Sequence, residues 1–203
     1  MIDKYFILEK ISKYPLFFQT FLDYAAIEES DELPTAGVYF EKYSYEPIVI
    51  KVNPKFWDTL NDQSKIFVVC HELLHILFKH GIQIGNKDIK PQIFNKAADI
   101  VINHSLIDFY EFDFPTLSEF LRVEGCWIPT CFPTRNDILY NQNSTYYYEK
   151  LLENNDGANG FDEHFFLDAE DIKDFLESTG ILEDFVKSGH AQEVYEQITG
   201  QSP

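Results

Sequence analysis

Apolar residues near the start of the chain recur at helical spacing: Ile2, Phe6, Ile7 and Ile11, then Phe17, Phe18, Phe21, Leu22 and Ala25. Pro15 falls between the two groups. A proline inside a helix removes a hydrogen bond and clashes with the preceding turn, so residues 2–29 predict two short helices or one broken helix. Glu28 to Pro34 is a polar link. Gly37–Phe40 and Ile48–Val52 are β-branched and aromatic runs that read as strands, with EKYSYEP between them able to close a hairpin. Asn53-Pro54 turns the chain after the second run.

A strong helical pattern then runs from a cap at Asn61 or Asp62 to Phe78, with Gly81 placed just past the end. Residues 82–91 read as a loop, and a second helix is expected from Gln92 to Asp108. The stretch 109–143 is rich in Pro, Cys, Trp and Asn and has little periodicity; its aromatics Phe112, Phe114, Trp127 and Phe132 read as core. Residues 144–153 look helical, capped by Asn143 or Ser144, and 154–160 form a loop. Helical turns are expected over 169–187, interrupted at Gly180, with a last helix over 190–198. The expected fold class is α+β, mostly helical, with a small sheet beside the 61–78 helix. One domain covers residues 1–166, with N-terminal helices over 1–29 and a motif region over 35–108; residues 167–203 extend it as an acidic helical lobe.

Composition narrows the partners. The 203 residues carry 34 acidic and 16 basic side chains, a formal net charge of −18. Such a chain does not grip nucleic-acid phosphates or an anionic membrane surface. Residues 151–203 hold 13 acidic side chains with only Lys173 and Lys187 to offset them, and read as a solvated acidic face. The opening MIDKYFILEK is no signal peptide, and no run of about 18 apolar residues exists to span a membrane, so a cytoplasmic location is expected. Cys70, Cys126 and Cys131 fit reduced thiols; Cys126 and Cys131 have a loose metal spacing but no second pair to complete a site.

The chemistry concentrates at His71-Glu72-Leu73-Leu74-His75, an HExxH sequence. On a helix His71 and His75 lie about 40° apart, so both imidazoles reach one metal, while Glu72 sits about 100° round from His71 at the edge of that face. Two neutral imidazoles and a carboxylate suit one Zn²⁺ with an open fourth position, where the metal brings a water's pKa near 7 and Glu72 serves as general base. For the third ligand, His80 lies about 180° from His71 on the same helix and fits a last-turn position better. Asn95, Asp99 and Asn103 form an i, i+4, i+8 polar stripe on an otherwise apolar helix. Asp99 is the expected ligand, with Asn95 or Asn103 orienting the site and His80 the alternative. His104 points about 140° away from Asp99 and is not expected to ligate. His164, after Asp162 and Glu163, is a candidate to stabilise an oxyanion or protonate a leaving group.

CHELLHILFKH followed by FNKAADIVIN resembles the predicted metallopeptidase domain found ahead of von Willebrand factor A-like domains in bacterial and phage proteins. The residues that carry the resemblance are His71, Glu72, Leu74, His75 and His80, then Asn95, Ala97, Asp99, Ile102 and Asn103. VNPKF at 52–56, YEKLL at 148–152 and Asp162 to His164 resemble its other landmarks, and the likeness spans roughly residues 35–166. It implies a zincin-like fold and a zinc-dependent hydrolase. The expected function is a zinc metallopeptidase acting on a protein or peptide. The alternatives are a catalytically silent, zinc-containing binding module with an acidic docking surface, and a hydrolase of a non-peptide amide.

Overall fold

A computed structural model describes residues 2–78, 89–153 and 169–181. The chain opens with α1 (Lys4–Ile11) and α2 (Pro15–Tyr24). Pro15 occupies the first turn of α2, where its missing N–H is not needed, so the proline that ends one helix starts the next. Strand β1 (Ala25–Glu29) follows without a linker. Ala25 was expected in the helix and Glu28 in a polar link; both instead lie in a strand. AAIEE has little intrinsic strand preference, and pairing to a neighbour supplies what propensity lacks.

Strands β2 (Ala36–Phe40) and β3 (Ile48–Val52) form the expected antiparallel hairpin, with Val38 opposite Ile50. β1 pairs parallel to β3, Ile27 opposite Ile50, so the order is β1-β3-β2 with β3 in the centre. Ile48, Val49, Ile50 and Val52 are buried, as a central strand covered on both faces requires. Asn53 caps α3 (Pro54–Thr59), its Oδ1 accepting from the Lys55 and Phe56 amides at 2.9 and 3.3 Å.

Helix α4 (Asp62–Leu77) carries the HExxH residues. Asn61 Oδ1 caps it by accepting from Ser64 N at 2.9 Å, and Asn61 Nδ2 donates to Thr116 O at 2.8 Å. Every residue from Ile66 to Leu77 is buried, which marks a helix packed on all sides. It lies against β2 and β3 on one side and α5 (Pro91–Asp108) on the other. A 3₁₀ turn (Phe114–Thr116) and the short helices α6 (Glu119–Glu124) and α7 (Ile128–Cys131) order the aperiodic stretch. Phe112, Trp127 and Phe132 are buried there, as core aromatics. Helix α8 (Ser144–Glu153) packs against α5, and α9 (Ala169–Thr179) ends at Gly180, whose φ of 67° is a left-handed conformation glycine adopts without strain. Phe175 of α9 packs on Tyr24 and Phe40, and Ile172 and Leu176 are buried in the common core. The chain is thus α+β with a small three-stranded sheet. Among the described residues no helix is long and apolar enough to cross a membrane.

Candidate metal centre

The site forms where α4 and α5 face each other. His71 and His75, one turn apart on α4, turn their rings toward α5, with centroids 4.8 Å apart. Their Nε2 atoms are 3.0 Å from each other. Asp99, from the middle of α5, places Oδ1 3.0 Å from His75 Nε2 and 3.4 Å from His71 Nε2. Small residues make the approach possible: Ala97 and Ala98 are fully buried on α5 beside Asp99. Among the described residues this is the one group of three side chains whose donor atoms converge in this way.

Asn103 fixes the state of His71. Its Nδ2 donates to the Cys126 carbonyl at 3.0 Å, which settles the orientation of the amide and leaves Oδ1 as an acceptor. That Oδ1 lies 2.9 Å from His71 Nδ1. The Nδ1 therefore carries the proton and donates it to Asn103. His71 Nε2 is then a lone pair aimed at His75 and Asp99.

This donor set fits a divalent cation. Two imidazole nitrogens and a carboxylate oxygen converge at 3.0 to 3.4 Å, a spacing at which either a shared proton or a metal ion between them holds the group together. Metal–ligand bonds near 2.0–2.1 Å in tetrahedral geometry place ligand atoms about 3.3 Å apart, close to the observed edges. His71, His75 and Asp99 are 8%, 1% and 3% exposed, so a bound ion would be held with little competing water on the protein side. Glu72 is buried as well, next to His71 on α4. Phe67 stands 6.4 Å from the His71 ring and in turn contacts Phe112 and Trp127, giving the centre an apolar wall.

Asn95 lies one turn before Asp99 on α5, buried, with no hydrogen-bond partner for its Oδ1 among the described residues. His104 is outside the group: its ring stacks between Tyr140 at 4.5 Å and Trp127 at 5.7 Å. Burial lowers its pKa to about 4, with Asp108 opposing. His80 and His164 lie outside the described residues. The Cys126 carbonyl is the part of the site that residue types do not signal, because a backbone oxygen leaves no mark in a sequence.

No curated protein and no solved structure gives a match to the chain. One family does, over residues 22–197, and that span takes in the sheet, α4, α5 and all three converging side chains. The chain belongs to that family, described as "Putative metallopeptidase domain".

Proposed function

We propose that this protein is a zinc-dependent peptidase in which His71, His75 and Asp99 hold the metal and Glu72 is the general base. The observation that carries the proposal is the convergence of His71, His75 and Asp99 within 4.8 Å, one residue along the helix from a buried glutamate. When bound, zinc supplies Lewis acidity toward a carbonyl oxygen and makes a neighbouring water acidic near neutral pH. Glu72 takes the proton of the attacking water and passes it to the departing amine. Asn103 holds the His71 ring so that its Nε2 lone pair stays directed at the centre. His164 is proposed as a further group on the leaving-group side. A small sheet packed beside the helix that carries His71 and His75 supports reading the fold as zincin-like.

The test is to purify the full chain with zinc and to follow cleavage of a mixed peptide library by mass spectrometry. The expected result is about one zinc per chain, following the single three-residue site, and cleavage that Glu72→Gln abolishes while retaining zinc. Cleavage unchanged in Glu72→Gln, or no zinc in the wild type, overturns the proposal.

A further inference from the structure

The polar stripe of α5 has two members with assigned contacts and one without. Asn103 is bonded to His71 and to the Cys126 carbonyl, and Asp99 meets His75. Asn95 is 5% exposed, and its Oδ1 has no hydrogen-bond partner among the described residues. A buried acceptor left unpaired costs stability, so a carboxamide kept in this position calls for a ligand. It does not cap its helix, because α5 has no side-chain cap. Among the described residues it does not tie α5 to another element either, as Asn103 does.

Its place is set by register. α4 and α5 pair antiparallel, with Asn103 level with His71 and Asp99 level with His75. Asn95 continues the same face of α5 by one more turn. It therefore lies past the proposed metal ligands, on the side away from Asn103 and the Cys126 carbonyl. A rise of about 1.5 Å per residue puts its Cα about 6 Å along α5 from that of Asp99. An extended peptide advances about 3.3 Å per residue. A chain lying along this face with one carbonyl at the metal thus brings a peptide group about two residues away level with Asn95.

We propose that Asn95 binds substrate, pairing its side-chain amide with a main-chain peptide group close to the bond that is cut. A carboxamide carries an acceptor and a donor side by side, the complement of a peptide N–H and C=O. Oδ1 accepts the substrate N–H, and Nδ2 donates to a substrate carbonyl. Pairing through the main chain is indifferent to side chains, so it favours an extended peptide over a small non-peptide amide. The inference rests on the peptidase reading above.

The experiment uses the zinc-loaded full chain carrying Glu72→Gln, which holds peptide without cutting it, and the peptide of the library that the wild type cleaves best. Asn95→Leu keeps a branched side chain and removes both polar groups. Titration calorimetry is expected to show peptide binding about tenfold weaker in Glu72→Gln/Asn95→Leu than in Glu72→Gln. Copies of the peptide in which one N–H at a time is replaced by an ester oxygen locate the contact. One of them should bind Glu72→Gln about tenfold more weakly, and bind the double variant no worse than the unmodified peptide does. Asn95→Leu alone should keep its zinc and its urea midpoint, since the folded protein loses no hydrogen bond. Unchanged peptide affinity, or an ester penalty that persists in the double variant, overturns the substrate role while the metal centre and Glu72 stand. A lowered urea midpoint or lost zinc assigns Asn95 to packing or to the metal and overturns it too. A wild type that binds zinc but cleaves no peptide overturns the peptidase reading, and the role of Asn95 with it.

Discussion

His71 Nδ1 and Asn103 Oδ1 stand 2.9 Å apart across two helices, and this contact decides which nitrogen of His71 faces Asp99. The Asn103 amide cannot rotate to reverse the roles without giving up its bond to the Cys126 carbonyl. Replacing Asn103 with alanine frees the ring and leaves the Cys126 carbonyl without its donor. Zinc affinity of Asn103→Ala should fall about 10–100-fold with the helical signal retained. Chelator competition checks it, and an affinity within a factor of about two of wild type would remove Asn103 from the account.

Asp99 stands 3.0 Å from His75 Nε2, while His80 lies outside the described residues. Asp99→Ala should therefore lose stoichiometric zinc, and His80→Ala should keep it. Elemental analysis of the two purified variants distinguishes them. The reverse result would transfer the third position to His80.

Metal binding should also appear as stability. A ligand that binds only the folded state stabilises it by about 2.7 kcal/mol at 100 times its Kd. Adding zinc to metal-free wild type should raise the thermal midpoint by several degrees, about 2–4 °C per kcal/mol for a chain of this size. The same addition should leave His75→Ala unmoved. An equal rise in both would assign the effect to some other site.

His104 gives a pH dependence with a definite sign. Its folded pKa is about 4, below the ordinary 6.5, because burial between Trp127 and Tyr140 disfavours the imidazolium. The unfolded chain thus binds the extra proton first. Its contribution is full above about pH 6.5 and is lost as pH falls toward 4, a total of about 3 kcal/mol. His104→Phe keeps the ring stack and cannot titrate. Urea midpoints measured from pH 7 to pH 4 should fall less steeply in this variant, and parallel curves would contradict the assignment.

Gly125 sits where a side chain has no room. A Cβ there would strike the Leu121 carbonyl oxygen and approach Trp127 Nε1 to 2.8 Å. Both atoms are fixed, since Trp127 Nε1 donates to that same oxygen at 2.8 Å. Gly125→Ala should destabilise by about 1–3 kcal/mol, read from the urea midpoint. It should weaken zinc binding too, because the next residue supplies the carbonyl that holds Asn103.

Much of this was legible in the residues. The cap at Asn61, the helix it starts and the hairpin of the 37–40 and 48–52 runs follow from local chemistry, and the structure has all of them, whereas Asn53, read only as a turn, caps the unforeseen short helix α3. Strand β1 was not legible. Ala25 to Glu29 carry no strand signal of their own, and only the exposed edge of β3, distant in sequence, gives them partners.

The same division runs through the site. Helical periodicity by itself determined that His71 and His75 share one face and that Asn95, Asp99 and Asn103 share another, because 3.6 residues per turn is a property of the backbone alone. Only the tertiary structure decided that these two faces meet, with oxygen and nitrogen 3.0 Å apart, since helix packing depends on the volumes of Ala97, Ala98 and their neighbours across the interface. Only packing could also bring the Cys126 carbonyl to Asn103, an acceptor that every residue possesses and no sequence pattern distinguishes.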